Sequence, residues 1–343
     1  MLAIMSGPRI VVAGAGSIGC YVGGLLTAGG RSVTLLCRER VAAELREHGL
    51  HLTSLDGLDL EVGADALTIE TDPALAFEMA DLLLVTVKSG ATREMAKLIA
   101  AHAPAHAPVV SLQNGIGNAG VLRSLLPART VLAGMVPFNV VQLGSGRFHR
   151  GTSGNLVIEA GRPDVTALLS VPHLGAEDAA DMPAVQWGKL VINLNNALNA
   201  LSGLTLYDQL QSRRWRQLLA AQQTEALTLL SQAGIKPWSM GPLPVRWLPH
   251  VLRLPTPLFR LLARSAVRID RRARSSMWED LEHCRITEID ELQGAVIALA
   301  ERIGRIAPVN RRVRDLIRQA EQAAAGSPGL DARAILRTLR SAA

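Results

Sequence analysis

Residues 9–30 read RIVVAGAGSIGCYVGGLLTAGG. A short β-branched run ends at Ala13, and a helical pattern of apolar residues begins at Ile18. Between them stands Gly14-x-Gly16-x-x-Gly19, with the spacing of a dinucleotide-binding turn. The first glycine permits a tight turn and the second lets backbone approach a pyrophosphate. The third lets the helix pack closely on the strand, and the helix N-terminus then faces the phosphates. A lone match of this kind is weak, so context decides. A strand precedes this one, a helix follows, and a second strand, SVTLLC from Ser32, lies at the expected distance. The 21 residues from Ile10 to Gly30 carry no formal charge, long enough to raise the question of a signal peptide or a membrane span. Seven glycines and the change of period at Gly14 answer it: the stretch reads as strand, turn and helix, with no targeting segment.

Outward from that unit the alternation continues. Arg9–Ala13, Ser32–Leu36, Leu82–Val87, Val109–Leu112 and Val131–Met135 read as buried strands. Ile18–Ala28, Glu39–His48, Thr92–Ala101 and Ile116–Leu125 read as the helices between them, the pattern of a doubly wound parallel sheet. After Pro137 come hairpin-like pieces, with turn signals at Gly144–Gly146 and Gly151–Gly154 and a strand at Asn155–Ala160, expected to extend the sheet. From about Ala184 the chain reads as helix: Val185–Leu201, Ser212–Ala233, Ser276–His283, Glu288–Ile303, Val309–Ala324 and Ala332–Ser341. The fold class is therefore α/β, an N-terminal Rossmann-type doubly wound sheet in residues 1–183 followed by an all-helical C-terminal domain in 184–343.

Composition removes other classes. With 343 residues, 48% hydrophobic and 19% charged, the chain can bury a large core unaided, at a length that suggests two domains. Cys20, Cys37 and Cys284 have no spacing suited to a disulfide scaffold or a zinc module, and no His/Cys cluster offers a metal site. Aromatics at 3% leave too few stacking platforms for a single-strand nucleic-acid binder. The arginine clusters at 260–274 and 302–318 read as solvated helix faces. Four prolines and five arginines interrupt the apolar stretch 243–269, so it is no membrane span. A cytoplasmic protein is expected, and an apolar helical second domain is compatible with a homodimer.

The choice of dinucleotide falls on the second strand. An NAD enzyme usually presents Asp or Glu about 20 residues after the glycine motif, to hold the ribose 2′-hydroxyl. Here the strand runs into Cys37, Arg38, Glu39 and Arg40, and Arg38 at its tip suits a 2′-phosphate. NADP(H) is thus expected, with Gly14, Gly16, Ser17, Ile18, Gly19 and Arg38 as its candidate contacts. Two more strands end in polar residues, LLLVTVK in Lys88 and VVSLQ in Asn114-Gly115, at the edge where open α/β sheets bind ligands. In the first long helix of the second domain, Lys189, Asn193 and Asn196 fall at i, i+4 and i+7, on one face. Lysine is scarce: of 36 Lys and Arg only Lys88, Lys97, Lys189 and Lys236 are lysine.

Taken in order, the glycine motif, Val-Lys88, Gln-Asn114-Gly, Trp187-x-Lys189-Leu-x-x-Asn193, Ser275-Ser276-Met-x-x-Asp and Thr287-Glu288-Ile-Asp resemble the ketopantoate reductase (2-dehydropantoate 2-reductase) family, within the 6-phosphogluconate-dehydrogenase-like group, over nearly the whole chain. The resemblance implies NADPH-dependent reduction of a small 2-oxo acid, 2-dehydropantoate to pantoate. It makes Lys189 the general acid and Glu288 its acidic partner. Ser276 would bind the substrate carboxylate, Asn193 would place the substrate, and Lys88 and Asn114 would sit at the cofactor–substrate junction.

That assignment makes a structural demand. In one continuous helix Ser276 and Glu288 would stand about 18 Å apart at ~1.5 Å per residue, too far to share a small acid. A break is therefore expected between them, with Thr287 and Asp290 forming a variant capping box and Glu288 in the new first turn. One residue departs from the family: the second Asn common eight residues past the lysine is Ala197 here, with Asn196 adjacent as a candidate replacement. This and the Pro-, Trp- and Arg-rich segment from Ile235 to Arg274 leave a bulkier 2-oxo acid, or another substrate of the same group, as alternatives. A catalytically silent NADP-binding sensor is a third, although it would have no need of both Lys189 and Glu288.

Overall fold

The computed structural model describes residues 7–241, 243–266 and 273–341. They divide into two compact units, 1–182 and 183–343.

The first unit holds the strands β1 (Arg9–Ala13), β2 (Ser32–Leu36), β3 (Leu50–Ser54), β4 (Asp59–Val62), β5 (Thr68–Glu70), β6 (Leu82–Val85), β7 (Val109–Ser111), β8 (Val131–Met135), β9 (Val140–Gly144), β10 (Arg147–Arg150), β11 (Leu156–Glu159) and β12 (Ala176–Ala179). Helices α1 (Ser17–Ala28), α2 (Glu39–His48), α3 (Pro73–Phe77), α4 (Thr92–His102), α5 (Asn118–Leu125) and α6 (Pro163–Leu169) connect them. The main sheet has the order β12-β11-β8-β7-β6-β1-β2-β5 and is parallel except where β11 meets β8. Successive side chains point to opposite faces, so both faces of a central strand must be covered. Ile10 and Val12 pack in the core with α1, whereas Val11 and Ala13 pack in the other with α3, α4 and α5. The strand order reverses between β1 and β6, which places a switch point directly beyond the glycine motif.

The post-Pro137 region departs from expectation. Only β11 and β12 extend the main sheet. The β9–β10 hairpin, turning through Gly144, Ser145 and Gly146 at positive φ, joins β3 and β4 in a separate sheet of order β4-β3-β10-β9. Its apolar face covers α1: Tyr21 meets Phe138, and a Cβ at Gly24 would stand 2.8 Å from Leu50. Because α1 is covered by both sheets, Gly19 through Leu26 are all buried. That is why the segment is apolar all round and membrane-like in composition.

The second unit comprises α7 (Met182–Asn193), α8 (Asn195–Ser202), α9 (Leu206–Gln211), α10 (Arg213–Gln232), α11 (Leu248–Arg253), α12 (Thr256–Ala266), α13 (Ser276–Glu282), a π-helical turn at Asp290–Gly294, then α14 (Ala295–Arg302), α15 (Pro308–Ala323) and α16 (Ala332–Ser341). The single helix expected over Val185–Leu201 is two, interrupted at Leu194. Segment 235–274, which has no family motif, carries α11 and α12, although 267–272 and Pro242 lie outside the described residues. The buried guanidinium of Arg216 holds this segment. It donates to Leu210 O, Gln211 O, Leu252 O and Leu254 O at 2.8–3.2 Å and lies 4.3 Å over the Phe259 ring. No described helix is long and apolar enough to cross a membrane, and no described cluster of His, Cys, Asp and Glu could hold a metal.

Candidate active site

At the end of β1, Gly14 has φ +104°, and a Cβ there would lie 2.3 Å from Val87 Cγ1. The turn is pinned from both neighbours: Gly14 N and Ala15 N donate to Leu36 O (3.1 and 2.9 Å), and Thr86 Oγ1 donates to Gly14 O (2.7 Å). Gly16 caps α1, is exposed, and has no heavy atom within 4 Å of where a Cβ would stand. Ser17 and Ile18 form the half-buried first turn. An open backbone rim on the start of a twelve-residue helix fits a pyrophosphate. A Cβ on buried Gly19 would meet Gly14 O at 2.7 Å and Thr86 Oγ1 at 2.8 Å. Gly19→Ala must therefore push helix from strand, at a cost of about 1–3 kcal/mol. Denaturant titration should show a lower midpoint and fluorescence titration weaker dinucleotide binding; an unchanged pair would contradict this packing.

Beyond β2, Cys37 is buried, which pushes its thiol up to about 11. Arg38 is exposed, and its guanidinium makes no hydrogen bond or ion pair with the described residues. Glu39, the first carboxylate after β2, pairs with Arg46 at 3.2 Å.

Lys88 is exposed and opens the 3₁₀ turn Ser89–Ala91 after β6. Asn114, half-buried after β7, uses its carbonyl to accept from Asn118 Nδ2 at 2.7 Å. Behind it Gln113 Nε2 donates to Val87 O (3.0 Å) and Thr92 Oγ1 (2.6 Å), and Thr92 Oγ1 donates to Asn118 Oδ1 (2.9 Å). This buried chain locks together the loops after β6 and β7. Sequence reading named Asn114 but not Thr92 or Asn118, polar residues at the starts of α4 and α5 that belong to no recognisable motif.

In the second unit, Lys189 lies on α7 and is half-buried. Burial pushes its ammonium down to about 8 from an ordinary 10.5, against the pull of the Glu288 carboxylate. Glu288, also half-buried, sits at the bend just before the helical residue Ile289. The expected break is present: α13 ends at Glu282, and Cys284 has φ +51°. The capping box is only half formed. Thr287 Oγ1 accepts from Ile289 N (3.2 Å), but Thr287 N donates to Glu321 Oε1 (2.7 Å), while Asp290 is held by Arg318 at 2.8 Å. Glu321 of α15 takes the acceptor role expected of Asp290, which Arg318 of the same helix engages instead, and Glu288 precedes the first turn rather than lying within it.

The single stripe of Lys189, Asn193 and Asn196 is likewise divided. Asn193 ends α7 and Asn196 belongs to α8; both are half-buried, with no side-chain hydrogen bond to the described residues. Ala197 is fully buried, so no amide is presented from that position. Ser276 is the exposed first residue of α13. Its neighbour Ser275, which sequence reading passed over, caps that helix. Ser275 Oγ accepts from Trp278 N (3.2 Å) and donates to Asn196 O (3.0 Å), while its N–H donates to Asn199 Oδ1 (2.8 Å). Ser276 and Asn196 are thereby brought near each other by buried neighbours.

A doubly wound sheet with an open glycine turn at its switch point, followed by helices bearing a lysine held near neutrality beside a carboxylate, defines a dinucleotide-dependent oxidoreductase. The chain belongs to the ketopantoate reductase PanE/ApbA family, whose N-terminal model matches residues 10–163 and whose C-terminal model matches residues 181–321. The 2-dehydropantoate 2-reductase of Halobacterium salinarum is 29% identical over 323 residues, covering 92% of this chain and 99% of that one. That of Archaeoglobus fulgidus is 26% identical, covering 91% and 98%. Among solved structures, the PanE/ApbA family ketopantoate reductase from Ralstonia eutropha matches with a TM-score of 0.77 and 27% identity, over 92% of this chain and 99% of the other. D-mandelate dehydrogenase with NADH and anilino(oxo)acetate shares the fold at a TM-score of 0.77 and 20% identity, covering 92% and 99%. Family membership makes the protein an NAD(P)-dependent oxidoreductase acting on a 2-oxo acid.

Proposed function

We propose that the protein reduces 2-dehydropantoate to pantoate with NADPH in the cytoplasm, with Lys189 as the general acid. The observation that carries this is Lys189, half-buried on α7 with Glu288 as its charged neighbour, where burial holds its ammonium down to about 8. Such a group is protonated at working pH yet able to release its proton, the condition for general-acid catalysis. The glycine turn and Arg38 would hold the dinucleotide, which would supply the hydride for the ketone carbon. Negative charge then develops on the ketone oxygen. Lys189 Nζ stabilises that charge and gives the proton that completes the hydroxyl, while Glu288 favours the ammonium beforehand. Asn193, Asn196 and Ser276 are assigned to the substrate, and Lys88 and Asn114 to the junction with the nicotinamide.

The test follows NADPH oxidation at 340 nm with a panel of 2-oxo acids. Turnover with 2-dehydropantoate ahead of the others is expected, and no turnover with any acid would end this reading. Buried Ala197 favours a second reading, in which loss of one amide admits a bulkier 2-oxo acid; the same panel decides by rank order. For the dinucleotide, Arg38→Asp should lower the preference for NADPH over NADH by about tenfold or more, since a charge-assisted contact is worth about 1.5–3 kcal/mol. Equal kcat/KM ratios in wild type and variant would remove Arg38 from the site.

A further inference from the structure

We infer that Gln293 is a positioning residue, tying the lysine helix to the glutamate segment so that Glu288 is held against Lys189. The inference rests on the reading of Lys189 as the acid. Where α7 gives way to α8, the carbonyl of Leu194 is available for a side chain, and it accepts from Gln293 Nε2 at 3.0 Å and from Gln222 Nε2 at 3.5 Å. Gln293 Nε2 also donates to Gln222 Oε1 at 3.0 Å, so its amide nitrogen is engaged on both sides. Both glutamines are fully buried. Leu194 lies five residues beyond Lys189, and Gln293 five beyond Glu288, in the π-helical turn Asp290–Gly294. Local π-helical geometry of this kind is often found at functional sites.

Two further ties of that segment lead to α15. Thr287 N donates to Glu321 and Asp290 pairs with Arg318, both on α15. Glu288 is thus bracketed by two anchors to α15, at Thr287 and Asp290, and Gln293 adds the tie that reaches the end of the lysine helix. A side chain and a backbone carbonyl 99 residues apart in sequence thereby tie the segment that carries Glu288 to the end of the helix that carries Lys189. Gln293 Oε1 has no hydrogen bond to the described residues, so replacing the amide removes its bonds to Leu194 O and Gln222 Oε1, both of which join it to the lysine helix or its partner α10.

The scarcity of lysine provides a direct readout. With four lysines in the chain, full-length protein labelled at lysine ¹³Cε gives four titrating signals, with Lys88, Lys97 and Lys236 as internal references. In Gln293→Leu, Glu288 drifts from Lys189, and the Lys189 midpoint should fall by about half a unit, because the carboxylate opposes desolvation. Glu288→Gln should lower it too, and the double variant should go no lower than the lower single one. The rate with the best 2-oxo acid should fall about 10- to 100-fold, as expected of slight misplacement, with KM for NADPH unchanged. An unmoved midpoint, or shifts that add in the double variant, would overturn the inference. Gln293→Met is the second variant; if neither keeps the wild-type circular dichroism, Gln293 is only structural and the inference fails. The NMR readout needs no turnover, so a wild type inactive on every acid refutes the proposed function separately.

Discussion

Lys189→Arg should lose about 10²- to 10⁴-fold in kcat for 2-oxo-acid reduction, the usual worth of a positioned general acid. Arginine keeps the positive charge but cannot release a proton at any working pH, so the variant separates proton donation from electrostatics. Lys189 is far in sequence from the glycine turn and Arg38, and dinucleotide affinity by fluorescence should stay within about twofold, since no phosphate contact is touched. The wild-type pH profile belongs to the same expectation. Lys189 must be protonated to act, and its folded-state value is about 8, so kcat/KM should be flat below that and fall as pH rises through it. The Arg variant should lack this alkaline limb. Comparable kcat in wild type and Lys189→Arg would remove Lys189 as the acid, whatever the substrate.

How far these residues were legible depended on how local their signal was. Gly14, Gly16 and Gly19 are read within six residues, because turn, helix start and strand are consecutive. The central strands announce themselves as short apolar runs because both faces of the sheet are covered. By contrast β3, LHLTS, alternates polar and apolar and pairs with β10 nearly a hundred residues away, so the second sheet was invisible until the chain was folded. At the site, residue types bearing chemistry, Lys189 and Glu288, were evident in the sequence. The residues that order their surroundings were not: Ser275, which fixes Ser276 against α8, was masked by that neighbour, and Gln293 is one glutamine among many until its bond to Leu194 O is seen. The break in α7–α8 was missed for the same reason. No glycine or proline marks it, and the carbonyl at Leu194 is satisfied by side chains from α10 and the π-helical turn.

The second large effect concerns stability and has the opposite sign to the loss of activity. Lys189 titrates at about 8 when folded and at 10.5 ordinarily, so between those values the unfolded chain binds more protons. The Lys189 contribution to stability therefore rises with pH from about 8 to 10.5, and below 8 the fold carries the full burden of a partly buried ammonium, up to about 3 kcal/mol. Lys189→Met keeps the length of the side chain and removes the charge. At pH 7 it should be more stable than wild type by about 1–3 kcal/mol, with part of the gain offset because Glu288 loses its cation. Urea unfolding at pH 7 and pH 10 checks the sign: the advantage of the Met variant should shrink at pH 10, where wild-type Lys189 is neutral. A variant less stable at pH 7, or an advantage independent of pH, would mean that the lysine is well solvated and not poised for proton transfer. The same burial that lowers the ammonium toward working pH is what destabilises the fold, so activity and stability are set against each other at this one side chain.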